Sequence, residues 1–139
     1  MAAALGGKVH QDIYAALGEG LLVHSQEEER GVATHSVNIE RGSLLHTLFG
    51  DTLAVNSFHH QAMDLPGKGM LVTMRAKDGT VEAMEHETLP IIATQWHPER
   101  MTGKLAEAEL TETASLFTSF VKWCREYEST ETPEGEATL

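Results

Sequence analysis

Asp78-Gly79 is the local signal that most restricts how this chain can fold. Asp-Gly favours the positive backbone angles of a two-residue hairpin turn, and here it lies between two strand-like runs. Those runs are Met70 to Ala76 and Thr80 to Glu85. Other short segments surround this hairpin. Val32 to Ile39 alternates as a strand does, with Val32, Thr34 and Ser36 on one face and His35, Val37 and Ile39 on the other. Thr52 to Phe58 reads as a strand, and Pro90 opens another from Ile91 to Trp96. Leu21 to His24 is an apolar candidate strand, and 26–30 a polar loop. Ser43 caps a short helix bearing Leu44, Leu45, Leu48 and Phe49. Val9 to Ala16 suits one or two helical turns, and Leu105 to about Tyr127 is the longest helix. Five or six short strands with two helices make a mixed α/β pattern.

The two ends differ from this body. Residues 1–5 are Ala-rich with no cap ahead of them, and Gly6-Gly7 suits a helix C-terminus, so the chain reads as starting inside an element. Residues 126–139 carry five Glu, no Lys or Arg, and almost nothing apolar, which predicts a disordered acidic tail after a domain at 1–125. That tail holds nearly half of the formal net charge of −11. The acidic balance argues against nucleic acid and against an anionic membrane surface. No run is long and apolar enough to span a bilayer, and the N-terminus lacks a basic region before its apolar stretch, so a cytoplasmic location is the default expectation.

Cys124 is the single cysteine, which excludes an internal disulfide and a multi-cysteine zinc site. It lies late in its helix, where the dipole disfavours a thiolate. Phe117, Phe120, Val121 and Cys124 follow the spacing of one buried face, so Cys124 reads as a core residue rather than a nucleophile. Eight histidines raise the question of a metal. None stands in an HxH, HExxH or Cys-His spacing, and His59 and His60 point apart if extended, so no metal and no cofactor is expected.

Gln95-Trp96-His97-Pro98-Glu99 carries the chemistry. Pro98 disfavours helical backbone at His97, and extended residues two apart share a side. His97 and Glu99 can then hydrogen-bond, leaving one imidazole nitrogen free as a base, which is the second half of a nucleophile–His–acid triad. The competing reading is a plain His-Pro-Glu turn.

The segment resembles the QxHPE signature of class I glutamine amidotransferase-like hydrolases. The resemblance continues through Leu5-Gly6-Gly7 with Gln11-Asp12-Ile13, His35-Ser36-Val37, Gly42-Ser43-x-Leu45, Val55-Asn56-Ser57-Phe58-His59-His60-Gln61-Ala62 and Asp78-Gly79-x-Val81-Glu82-Ala83. The ordered series covers nearly all of 4–125 and is similar to the gamma-glutamyl-gamma-aminobutyrate hydrolase branch, which serves polyamine catabolism. The resemblance implies the C-terminal part of a flavodoxin-like three-layer fold, with a mixed sheet and a long C-terminal helix. It implies His97 as general base and Glu99 as its orienting acid. It places Ser57, His59 and Gln61 beside the active site as substrate-binding residues, although a polar loop also accounts for His59 and His60. The substrate implied is a small gamma-glutamyl amide.

The family's nucleophile is a cysteine in a Gly-x-Cys-x-Gly elbow upstream of the stretch that residues 1–7 resemble. The chain is therefore expected to be truncated, inactive alone, and prone to self-association or to a partner that covers its exposed sheet. The alternative function is non-enzymatic: a pseudoenzyme or subunit that pairs with a chain supplying the nucleophile half.

Overall fold

The computed structural model describes residues 1–103 and 113–131. The elements are β1 (Lys8–His10), α1 (Ile13–Leu17), β2 (His35–Ile39), α2 (Leu44–Phe49), β3 (Thr52–Val55), β4 (Ala62–Leu65), β5 (Met70–Ala76), β6 (Val81–His86), β7 (Ile92–Thr94) and α3 (Ala114–Glu131). Short 3-10 turns stand at Ala2–Leu5 and Pro98–Arg100.

The hairpin at Asp78-Gly79 forms as its sequence predicts, with β5 and β6 paired antiparallel and Gly79 at φ 90°. It lies at the middle of a sheet ordered β3-β2-β5-β6-β7. Every pairing among the described strands is antiparallel. The fold is α/β, with the long helix at the C-terminal end of the described chain. Val37 faces Leu53 on one side and Ala76 on the other, so the buried face of β2 lines up with those of its neighbours. That face, with Leu45 of α2, Trp96, Met101 and Leu116 of α3, forms the main core. A second cluster of Ala2, Met63, Met70, Val81 and Met84 sits elsewhere on β5 and β6. All residues of β6 from Val81 to Glu85 are consequently buried, Glu82 and Glu85 among them. Glu85 has a clear use: its carboxylate accepts from the Leu44 and Leu45 amides at 2.9 and 3.0 Å, completing the α2 N-terminus that Ser43 also caps.

Several boundaries differ from the sequence expectation, each for a local reason. Leu21 to His24 is not a strand, because side chains take its backbone donors. Leu22 N–H goes to Asp78 and His24 N–H to the Tyr14 hydroxyl, leaving only an isolated bridge between Ser25 and Phe58. β2 starts at His35, since the Gln26 side chain holds the Val32 carbonyl. β3 stops at Val55, and β7 covers only three residues. Between Val9 and Ala16 the helix occupies only the second half, capped by Asp12. Its first half forms β1, which pairs with β4 in a ribbon too short to show in the sequence pattern. Gly7 permits the close approach there, as a Cβ on it would lie 2.4 Å from the Leu65 carbonyl oxygen.

The helix expected from Leu105 is seen from Ala114, and 104–112 lie outside the described residues. It runs through Glu131, so 126–131 belong to the helix rather than to the tail. The rest of the expected tail, 132–139, lies outside the described residues. The buried face is rotated from the one the spacing suggests. Leu116 is buried, Phe120 and Cys124 are half-buried, and Phe117 and Val121 are 43% and 47% exposed. Thr113 sets this rotation: its hydroxyl reaches the Pro98 and Met101 carbonyls and turns Leu116 onto the core. No helix among the described residues is long and apolar enough to cross a membrane.

Candidate functional site

Trp96 is almost fully buried, and beyond it the chain leaves the sheet. The backbone of the next residue is gripped by Asn56, which is itself fully buried. Asn56 Oδ1 accepts the His97 amide at 2.8 Å, and its Nδ2 donates to the His97 carbonyl at 3.1 Å and to the Arg30 carbonyl at 2.7 Å. The three bonds fix the orientation of the Asn56 amide, since an N–H needs the oxygen and two carbonyls need the nitrogen.

From that fixed backbone, His97 Nδ1 meets Glu99 Oε1 at 2.9 Å. Both side chains are about half exposed. Burial works against ionisation of Glu99, and the hydrogen bond with His97 leads the effects that overcome it, so the carboxyl sits below its ordinary value. A carboxylate on Nδ1 selects the tautomer in which Nδ1 carries the proton and Nε2 is free to accept one. The Phe58 ring stands edge-on to the imidazole, 6.0 Å away between centroids. Arg30, Phe58, His97, Glu99 and Arg100 line a cleft of about 210 Å³. Cys124 is elsewhere on α3, half-buried, with no hydrogen bond to His97 or Glu99.

The other expected site residues fall in different surroundings. Gln61 is exposed, and its side-chain amide donates to Gln11. Ser57 and His59 are buried and do not line the cleft beside His97. Of the adjacent histidines, His59 turns inward and His60 outward, as alternation requires. Ser57 Oγ donates to the His24 carbonyl at 2.9 Å and lies 3.2 Å from His24 Nδ1.

Ser57 and His59 belong to a buried cluster of histidines and carboxylates. Glu82 is at its centre, fully buried, with Oε1 at 3.3 Å from His24 Nδ1, 3.2 Å from His35 Nε2 and 3.5 Å from His59 Nε2. Asp78 stands behind His24, 2.8 Å from its Nε2, and also accepts the Leu22 and Thr80 amides. Burial disfavours charge on Asp78, yet those donors outweigh it and hold the carboxyl down to about 2. Desolvation opposes charge on Glu82 as well, and the surrounding histidines, His24 and His35 first, overcome it and pull the carboxyl well below the usual range. Burial opposes the charged form of His24, and its hydrogen bonds to Glu82 and Asp78 reverse that and raise its value.

Ligand atoms of His24, His35 and Glu82 all lie within 4.8 Å of one another, a set that can hold a metal ion. Spacing along the chain does not reveal it, since the three come from an irregular loop, β2 and β6. Asn56 also goes unflagged as an individual residue in the sequence. Its full burial becomes meaningful only when His97 is brought against it.

The Peptidase C26 family model matches residues 1–99. A putative glutamine amidotransferase from Mycobacterium tuberculosis is 37% identical over 107 residues, covering 73% of this chain and 32% of the relative. A putative glutamine amidotransferase-like protein from Lactococcus lactis is 34% identical over 94 residues, covering 68% of this chain and 39% of the relative. The gamma-glutamyl-gamma-aminobutyrate hydrolase of Escherichia coli is 29% identical over 132 residues, covering 89% of this chain and 49% of that enzyme. The chain thus spans a third to a half of the length of these relatives. Among solved structures, a putative GMP synthase component from Thermoplasma acidophilum superposes with a TM-score of 0.63 at 17% identity, covering 94% of this chain and 54% of that one. A glutamine amidotransferase from Thermotoga maritima gives a TM-score of 0.50 at 16% identity, covering 94% and 50%. The chain belongs to the Peptidase C26 family of class I glutamine amidotransferase-like proteins.

Proposed function

We propose that His97 and Glu99 are the base and its orienting acid in a cysteine hydrolase that cleaves gamma-glutamyl amide bonds, gamma-glutamyl-gamma-aminobutyrate or a related compound. The thiol is supplied by residues outside these 139. The observation that carries the reading is the 2.9 Å His97–Glu99 contact on a backbone that Asn56 holds from both sides. Such a pair leaves Nε2 as the one free ring nitrogen.

The steps follow from that nitrogen. Nε2 takes the proton of the thiol, and the thiolate attacks the gamma-carbonyl carbon. As the tetrahedral intermediate collapses, His97 returns the proton to the leaving amine. A water molecule then gives its proton to Nε2, opens the thioester and releases glutamate, which regenerates the thiol. Glu99 stabilises the imidazolium in both halves and keeps the ring oriented. Arg30 and Arg100 suit the alpha-carboxylate that every gamma-glutamyl group carries. Gln61, Ser57 and His59 do not line the cleft beside His97, so their substrate-binding role rests on the motif they match.

The activity for which the E. coli relative is named supports this substrate class, as does the motif series through 1–99. The test is a chimera of that E. coli enzyme in which the matched half is replaced by this chain. Release of glutamate from gamma-glutamyl-gamma-aminobutyrate should appear, vanish in His97→Ala, and survive Cys124→Ala. Activity that persists without His97, or is lost with Cys124, would sink the proposal.

A second reading is that the chain acts as a non-catalytic subunit. Its support is the exposed pair Phe117 and Val121 on α3, next to an apolar cleft of about 250 Å³ between α3 and β7. Sedimentation of the purified chain as a stable, cooperative monomer would count against that reading.

A further inference from the structure

We infer that the buried cluster around Glu82 is a structural zinc site: His24, His35 and Glu82 offer ligand atoms within 4.8 Å of one another, and His59 Nε2, outside that set but 3.5 Å from Glu82 Oε1, moves in as the fourth ligand when the ion binds. The geometry is the first argument. The three nitrogens stand 3.3, 3.2 and 3.5 Å from the carboxylate oxygen. N–H···O hydrogen bonds span ~2.7–3.2 Å, so the His35 contact is at the long end of that range and the His24 and His59 contacts lie beyond it. Neighbouring corners of a tetrahedron around zinc, with bonds of ~2.0–2.1 Å, lie about 3.3–3.4 Å apart.

Proton placement is the second argument. His59 Nδ1 lies 2.9 Å from the Gln61 carbonyl, which can only accept, so Nδ1 carries the proton of a neutral ring. The lone pair on His59 Nε2 then points toward a carboxylate. That nitrogen is buried and has no hydrogen-bond partner, and neither has Glu82 Oε2. A cation between lone pair and carboxylate removes the conflict.

The surroundings of His24 and His59 agree, whereas His35 Nδ1 is buried without a hydrogen-bond partner. His24 Nε2 lies 2.8 Å from Asp78, so Asp78 takes its proton and leaves Nδ1 to face Glu82. A metal-bound histidine that donates its other N–H to a carboxylate or a backbone carbonyl is the usual supporting arrangement, and both versions occur here. Charge completes the case. Glu82 and Asp78 bring two negative charges into a site where His24 and Glu82 are fully buried, and one divalent ion offsets both. Three imidazoles and one carboxylate suit zinc better than calcium or magnesium, which prefer oxygen ligands. The near-complete burial of these side chains keeps substrate away from the ion, so its role is to tie the 24–26 loop, β2, β6 and the 57–59 segment together.

The test uses tag-free protein stripped with EDTA. ZnCl2 is titrated by calorimetry and CoCl2 by visible absorption. One zinc per chain, the intense bands of four-coordinate cobalt and a raised melting temperature are expected. Asp78→Asn should weaken zinc about 10–100-fold by removing the acceptor behind His24. His59→Gln, which removes one ligand and keeps the size of the side chain similar, provides the same reading if Asp78→Asn does not fold. His46→Ala and His97→Ala should leave the affinity unchanged. Folded wild-type protein that takes up no zinc at neutral pH, or uptake indifferent to His59→Gln, would overturn the site; protons on the histidines would then be what balances Glu82.

Discussion

Replacing Asn56 tests how His97 is held. In Asn56→Ala the His97 N–H, the His97 carbonyl and the Arg30 carbonyl each lose their partner. Leaving a buried polar group unpaired costs about 1–3 kcal/mol. Water can approach from the half-exposed His97 side, so the lower end applies, and three groups give about 3 kcal/mol. Urea unfolding followed by fluorescence of the two tryptophans would show it. With a slope of about 2 kcal/mol/M, the midpoint should fall by roughly 1.5 M at unchanged slope. Asn56→Asp has the same shape and sharpens the test. It keeps an acceptor for the His97 amide but sets a carboxylate against two carbonyls, which raises its pKa in the folded protein. A raised folded pKa means the penalty is present at higher pH and relieved as pH falls through that value. Asn56→Asp should thus lose more stability at pH 8 than at pH 5, whereas the Asn56→Ala loss should not change with pH. A midpoint shift below about 0.3 M for Asn56→Ala would refute the idea that this side chain carries the His97 backbone.

Two further outcomes can be checked on the same protein. In metal-free protein the depressed carboxyls stabilise the fold above their ordinary values and lose that effect as pH falls. For Asp78 the window runs from 3.8 down to about 2 and amounts to about 2 kcal/mol, so Asp78→Asn should flatten the acid limb of the unfolding curve. His24, raised from 6.5, acts in the opposite sense, and its contribution should fade as pH rises through its elevated value. On α3, Leu116→Ala should cost about 2–5 kcal/mol and Phe117→Ala less than about 0.5, measured by thermal unfolding. Equal costs would favour the buried face that the spacing alone suggests.

The readable parts of the fold are those where local chemistry and tertiary structure agree. Asp78-Gly79 dictates a turn wherever it falls, and the Ser43 cap is satisfied within its own helix. Val37 and Ile39 alternate because β2 has one covered face. Misreadings arise where a distant side chain overrides the local pattern. Leu21 to His24 has strand composition, but Asp78 and Tyr14 capture its amides. α3 has apolar residues on more than one face, and Thr113 decides which one the core receives. Within the site, His97 and Glu99 are two residues apart on extended backbone, so their pairing is legible in the chain. Asn56 is 41 residues from His97, and Glu82 is 58 from His24. No periodicity connects them; only the strand order does.

All the chemistry proposed for the cleft depends on Glu99 fixing the His97 ring with Nε2 free. Nitrogen-15 NMR of histidine-labelled protein, at a pH where the ring is neutral, reads this directly. A protonated Nδ1 and a bare Nε2 are expected on His97, with the preference weakened in Glu99→Gln. A His97 ring protonated at Nε2, or a tautomer ratio that ignores Glu99→Gln, would contradict that role for the pair.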